Sequence, residues 1–297
     1  MWWQVAPLLL TVVVAGCGSG SSPSGGGKVP EVKEADDLPM LPIDRYKLGK
    51  RATKEFDTAR DRLAQRCMVG LGFADFPLDP KPPKSSGSSG SSLLTLRLSE
   101  TPLGPLDLDR AKRWGYGWAP KASPLGGAGP KGRAMTDKEY AALYGLSSSR
   151  APKGGCAGQG DRQLLKGVED TTHMWAYPSR REERLEKAVA KEPRLRKAVA
   201  TWSDCVVDKG FKRYGNPEAA RKDKGWGTSR DGNTTHTERE VGTAVADIEC
   251  KRKHNTLGVW WSVMAKRQRA DIDRNKAAYE AVRRDLDTLR ANARSIP

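Results

Sequence analysis

The side chains that could do chemistry in this 297-residue chain are few. Five cysteines and three histidines stand among 52 Lys and Arg and 36 Asp and Glu. There is no Cys-x-x-Cys pair, so zinc-ribbon and thioredoxin-type redox sites are not indicated. His-Glu-x-x-His, Gly-x-Ser-x-Gly and phosphate-loop motifs are also absent from the sequence. The sequence therefore predicts a protein that is not an enzyme and that holds no cofactor or metal.

The first cysteine follows a short apolar segment at the N-terminus. Residues 8–15 are too few to cross a bilayer and have the length of the apolar part of a secretory signal peptide. They lead into Val14-Ala15-Gly16-Cys17, an aliphatic residue and two small residues before a cysteine. We predict a signal peptide over 1–16 and a tether over 17–44, which is rich in Gly and Ser from 18 to 27.

The residues that end at Cys17 are similar to the lipobox of bacterial lipoproteins. In that class the cysteine thiol receives a diacylglyceryl group, and cleavage makes this cysteine the first residue of the mature protein. The similarity implies that Cys17 is lipidated, and two acyl chains suffice for stable anchoring. The expected location is the extracytoplasmic face of the cell membrane.

The other cysteines could form disulfides. An even number of cysteines in an exported chain predicts two bridges, although four buried free thiols are the alternative. Three pairings are possible, and each long bridge contributes about 4 kcal/mol in the loop-entropy description. The four residues concerned are Cys67, Cys156, Cys205 and Cys250.

Two of these cysteines stand in matching surroundings. Cys67 is followed at a fixed spacing by Gly72-Phe73, and Cys205 is followed at the same spacing by Gly210-Phe211. Each pair comes after an amphipathic helical pattern, and a glycine followed by an apolar residue is typical of a helix stop. The match indicates an internal duplication; independent use of common helix-end chemistry is the alternative.

A duplication would give each matching cysteine its own downstream partner. This favours bridges from Cys67 to Cys156 and from Cys205 to Cys250. A bridge from Cys67 to Cys205, between the two copies, is the main alternative. The corresponding division of the chain is 45–158, with a Ser- and Gly-rich insertion, and 159–297.

The overall pattern predicts a mainly α-helical, disulfide-linked fold with Gly-, Pro- and Ser-rich loops. Capping-box patterns occur at Thr136–Glu139 and Thr237–Glu240. The second opens a long helical stretch over 238–294, with Gly258 as its weak point. Apolar residues then recur every seven positions, which predicts a coiled-coil seam that pairs with another chain or packs within this one. These residues are Ile272, Tyr279, Leu286 and Ala293.

Charge adds a prediction about partners. The chain has a formal net charge of +16, and 251–294 alone contains twelve Lys or Arg and five Asp or Glu. Outside the cytoplasmic membrane such a helix would meet anionic lipid or an anionic wall polymer, whereas nucleic acid is not expected there. The simpler interpretation is that these charges form the solvated face of a helix.

The segment Trp114-Gly115-Tyr116-Gly117-Trp118 alternates aromatic residues with glycine. Flat rings of this kind could stack on sugar faces, as in a carbohydrate-binding protein or an envelope glycan-active hydrolase. The simpler interpretation is that the rings pack an irregular part of the domain that is poor in aliphatic residues.

With these motifs in view, the chain resembles exported lipoproteins of unknown function from high-GC Gram-positive bacteria. The resemblance rests on the Val-Ala-Gly-Cys box, Cys67-Met68, Trp202-x-x-Cys205 and 244–250. It implies an envelope location and a helical fold, and no activity. We therefore expect a lipid-anchored, non-enzymatic binding or scaffolding module of the cell envelope.

Overall fold

A computed structural model of the chain describes residues 28–83, 101–119, 132–146, 150–229 and 232–297. The prediction of a mainly helical, disulfide-linked fold is confirmed within these ranges. The only β-type pairing among them is one isolated bridge between Lys81 and Ala134. The predicted signal peptide, residues 17–27 of the tether and the insertion at 85–92 lie outside the described residues.

Ten α-helices lie within the described ranges. Their bounds are α1 Lys50–Gly70, α2 Leu108–Trp114, α3 Asp137–Tyr144, α4 Gly155–Leu164, α5 Thr171–Val189, α6 Pro193–Asp208, α7 Pro217–Arg221, α8 Glu238–Lys253, α9 Thr256–Arg274 and α10 Lys276–Arg294.

The long C-terminal helical region is present, but it consists of α8, α9 and α10. The breaks fall at Asn255 and Asn275 and not at Gly258, which is buried within α9. Asn255 has a left-handed backbone with φ of 47°. A Cβ on Gly258 would lie 2.1 Å from the carbonyl oxygen of Pro30, so this glycine allows another segment to pass close to α9.

That segment is residues 28–46, which we call the strap. Asn255 holds it through both amide atoms: Oδ1 accepts from Val32 N at 3.0 Å, and Nδ2 donates to Pro30 O at 2.8 Å. Further along, Ile43 N donates to Gln268 Oε1, and both residues are fully buried. The predicted tether of 17–44 is therefore too long at its C-terminal end, because 28–44 pack on the body.

The largest hydrophobic cluster joins both predicted units. It contains Leu63 of α1, Leu164 of α4 and Leu286 of α10. The boundary predicted between 158 and 159 falls inside α4, so the two units share one core. The heptad residues Tyr279, Leu286 and Ala293 are buried in this cluster, with Ile272 partly buried against it. The seam thus packs within the chain.

Candidate functional site

The structure joins Cys67 to Cys156 and Cys205 to Cys250, the pairing that the duplication hypothesis favours. The Cα–Cα distances are 5.5 Å and 5.8 Å. The first bridge links α1 to α4, and the second links α6 to α8. Cys17, the predicted lipidation site, lies outside the described residues.

The two helix stops have the same hydrogen bonds. In the first, Phe73 N donates to Met68 O and Gly72 N to Val69 O. In the second, Phe211 N donates to Val206 O and Gly210 N to Val207 O. Gly72 and Gly210 have φ of 95° and 86°. Both ends are therefore Schellman motifs, as the sequence pattern predicts.

The aromatic loop 114–118 is held by side chains from the segment before α8. Asn233 bonds both backbone groups of Trp118, with its Oδ1 accepting at 2.9 Å and its Nδ2 donating at 2.7 Å. His236 Nδ1 lies 3.0 Å from Trp114 O. Gly117 is required here, because a Cβ would lie 2.3 Å from Asn233 Oδ1. The loop backbone is fixed, while the Trp114 and Trp118 side chains stay partly exposed.

Glu240 differs from its predicted role in a capping box. Thr237 Oγ1 accepts from Glu240 N at 3.2 Å, as a cap requires. The Glu240 carboxylate is fully buried and accepts from Tyr116 N at 3.0 Å instead of returning to Thr237 N. This carboxylate therefore fastens the aromatic loop to α8. In α3 the box is complete, because Glu139 Oε2 accepts from Thr136 N at 2.7 Å.

A buried ion pair on α8 holds the segment 101–106. Lys251 Nζ lies 2.9 Å from Asp247 Oδ2, with both side chains almost inaccessible to solvent. Lys251 Nζ also donates to Leu103 O at 2.8 Å and Pro105 O at 3.0 Å, while Asp247 Oδ1 accepts from Trp202 Nε1 at 3.0 Å. Burial raises the pKa of Asp247, although Lys251 and Trp202 favour its ionised form.

The segment that Lys251 holds forms one wall of a cleft on α6. The cleft has a volume of about 730 Å³, within the range of small-molecule sites. Its other walls are α6 and the loop that leads into α7. Most of its surface is apolar, with contributions from Pro102, Leu103, Leu195, Val199, Ala200 and Tyr214.

Hydrogen bonds fix the loop wall of this cleft. Ser203 Oγ donates to Tyr214 O at 2.7 Å, and Tyr214 Oη donates to Asp223 Oδ2 at 3.0 Å. Arg213 Nη1 lies 2.6 Å from Asp204 Oδ1. The cleft is therefore preformed, because these bonds connect the loop to the body and to its own following turn.

The rim of the cleft carries positive charge. Arg196 lines it, is exposed and has no ion-pair partner among the described residues. Glu218, also on the rim, is neutralised by Lys222 at 2.6 Å. An apolar cleft with a cation at its edge can bind a ligand that has an apolar body and an acidic group.

Sequence reasoning missed this cleft. The helical pattern of α6 predicts a core face, and Trp202 and Val206 are indeed fully buried. Val199 and Leu195, one and two turns earlier, also pack in or against the largest hydrophobic cluster, and they line the cleft as well. The periodicity of α6 alone gives no signal for the cleft, since the opposite wall comes from loops distant in sequence.

The basic C-terminal region is largely internally paired. Seven of its twelve cations lie within ion-pair distance of a carboxylate. Carboxylates of the same chain therefore lie beside more than half of these cations. The paired cations are Lys251, Arg252, Arg267, Arg274, Lys276, Arg290 and Arg294.

Within the described ranges no helix is both long and apolar enough to cross a membrane, and no three acidic, His or Cys side chains are placed to hold a metal ion. No protein-family model matches the chain, and no match was found among curated proteins or solved structures.

Proposed function

We propose that this protein is a lipid-anchored binding module on the extracytoplasmic face of the cell membrane, and that it binds its ligand in the cleft on α6. The cleft is the observation that carries the binding role. It is preformed, mostly apolar and edged by Arg196. Its ligand class is an amphipathic anion, such as a long-chain carboxylic acid.

The anchor is supported by the sequence that ends at Cys17 and by the position of the strap. Residue 28 begins the strap, which packs at the α8–α9 junction. From Cys17 to residue 28 the chain spans at most about 40 Å when fully extended. A body tethered at this length stays within reach of the membrane surface. Two disulfides also fit an oxidising compartment.

Replacing the sulfur at residue 17 tests the anchor. Cys17→Ser should abolish uptake of labelled palmitate and release the protein from the membrane fraction, because serine offers no thiol to modify. Ser21→Ala, four residues on, is the matched control and should retain both properties. Continued labelling and sedimentation of Cys17→Ser would contradict the anchor.

Filling the cleft tests the binding role. The fluorescent probe 11-(dansylamino)undecanoic acid should bind the purified protein with a blue-shifted emission. Ala200→Trp places a large side chain in the cleft and should weaken binding at least tenfold. Thr201→Trp, at the next position of α6 and exposed, is the control and should bind as the unaltered protein does. Absence of probe binding, or equal binding by both variants, contradicts the proposal.

A carbohydrate-binding role is the second candidate, because Trp114 and Trp118 expose part of their rings on a fixed loop. Flat aromatic rings on a fixed loop can stack on the faces of sugars. Soluble glycan fragments should then quench tryptophan fluorescence. Loss of this quenching in Trp118→Ala, with quenching kept in Ala200→Trp, would favour sugar binding at the loop over ligand binding in the cleft.

A further inference from the structure

A second concave surface lies between α1 and the end of α10. It has a volume of about 380 Å³ and a floor that includes Ala59, Ala293 and Ile296. Ala59 and Ala293 are small, which leaves space for a groove between the two helices. We call this surface the α1–α10 groove.

Cations line both walls of the α1–α10 groove. Arg51, Lys54 and Arg62 come from α1, and Arg294 comes from α10. The α1 residues lie on one face of the helix, since their positions differ by three and eight residues, and they extend over about 16 Å along its axis. The groove thus presents a row of positive charge and not an isolated cation.

A single carboxylate, Glu55, lines the same groove. Its Oε1 accepts from Arg51 Nε at 2.8 Å, and its Oε2 lies 3.9 Å from Arg294 Nε. Glu55 therefore lies between one cation of each wall. Lys54 and Arg62 make no ion pair within the described part of the chain, so the groove keeps an excess of three positive charges.

The shape and lining restrict the partner. A concave groove about 16 Å long fits a narrow, flexible polymer better than the flat surface of a bilayer. No aromatic side chain lines the groove, so it offers no stacking platform for the bases of a single-stranded nucleic acid. Arg and Lys side chains bind phosphate oxygens through charge-assisted hydrogen bonds.

We infer that the α1–α10 groove binds a linear phosphodiester polymer that lacks bases, with successive phosphates meeting Arg51, Lys54 and Arg62 along α1. This site is separate from the cleft on α6 and does not depend on the ligand proposed there. Three of the four cations of the groove belong to α1, and Arg294 alone belongs to the basic region 251–294.

Binding of poly(glycerol phosphate) to the purified full chain tests the inference. We expect binding at low ionic strength that weakens steeply as salt is added. The double variant Lys54→Gln/Arg62→Gln should bind at least tenfold more weakly. The matched control Arg283→Gln/Arg284→Gln removes the same charge from exposed positions of α10 outside the groove, and should change binding less than threefold.

Four results would overturn the inference. Equal losses in the two double variants would mean that net charge alone attracts the polymer. Binding to phosphatidylglycerol vesicles in the absence of polymer binding would make the surface a membrane contact. Tighter binding to single-stranded RNA than to the polymer, with the same loss in Lys54→Gln/Arg62→Gln, would make it a nucleic-acid site. Absence of any polymer binding would remove the proposed partner.

Discussion

The two disulfide-linked helix pairs share a helix stop and differ in almost everything around it. Cys156 lies in the first turn of α4, whereas Cys250 lies in the last turn of α8. Cys205 and Cys250 are buried in a cluster around the fully buried Trp202, while Cys67 is only partly buried. The short sequence pattern therefore determines where each helix ends, but not which residues pack around that end.

The polar groups beside the two bridges differ in the same way. The α6–α8 pair has a fully buried ion pair, Asp247–Lys251, linked to Trp202. In the region of the α1–α4 pair the corresponding strong interaction is Arg133–Glu139, whose arginine is 45% exposed. One half therefore contains a desolvated charge pair, and the other contains a pair that is open to solvent on one side.

The largest expected effect is in the α6–α8 half. Lys251→Met removes one partner of the buried pair and leaves the Asp247 carboxylate uncompensated, which should cost roughly 3–5 kcal/mol of the free energy of unfolding. Urea unfolding followed by circular dichroism measures this loss. Adding Asp247→Asn should restore part of it, because the isolated charge is then absent.

The control for that change is an exposed pair in the same half. Lys209 Nζ lies 2.7 Å from Glu249 Oε2, with both side chains more than a third exposed. Lys209→Met should cost less than about 1 kcal/mol. Equal losses in the two variants would mean that burial of the Asp247–Lys251 pair has no special importance.

The second prediction concerns the α1–α4 half. Hydrogen bonds from Arg133 lower the pKa of Glu139 from 4.5 to about 2. A pKa lowered by folding stabilises the protein above pH 4.5, and this stabilisation is lost as the pH falls towards 2. Glu139→Gln should cost roughly 1–3 kcal/mol at pH 7 and much less near pH 2.

Thermal unfolding of both proteins between pH 7 and pH 2 measures this difference. Glu183→Gln, in the exposed Glu183–Lys187 pair, serves as the control and should change the pH profile far less, because solvent screens that pair. A Glu139→Gln penalty that stays constant across this range would show that the Arg133 pair does not set the pH dependence.

The smallest effect tests what the two halves share. Gly72→Ala and Gly210→Ala each put a side chain on a backbone with positive φ, and no atom lies within 4 Å of either new Cβ. Each should cost about 1–2 kcal/mol from backbone strain alone. Chemical denaturation should give the same loss of unfolding free energy for both variants within about 0.5 kcal/mol. A larger difference would show that the two helix stops are not energetically equivalent.

Local signals predicted much of the fold. The helix starts at Thr136 and Thr237 and the stops at Gly72 and Gly210 depend on neighbouring residues, so a sequence reveals them. The breaks in the C-terminal region were not predicted. Asn255 takes a left-handed conformation in which its side chain also holds the strap, more than 200 residues away in sequence.

The candidate sites depended still more on distant contacts. The sequence predicts a capping role for the Glu240 side chain. In the structure its carboxylate accepts a hydrogen bond from Tyr116 N in the aromatic loop. The cations of α1 line a groove only because the end of α10 lies beside that helix. Pattern alone could not give these outcomes, since each needs two segments that are separated by more than 100 residues.

The sequence by itself determined the helical class, the helix starts at Thr136 and Thr237, the stops at Gly72 and Gly210, the four bridging cysteines and the expectation of an anchor at Cys17. These depend on residue type and short spacing. Tertiary structure decided that both units share one core, that the heptad seam faces inward, and that a cleft opens on α6. The physical reason is that burial and cavities arise where distant segments pack or fail to pack, which local periodicity does not encode.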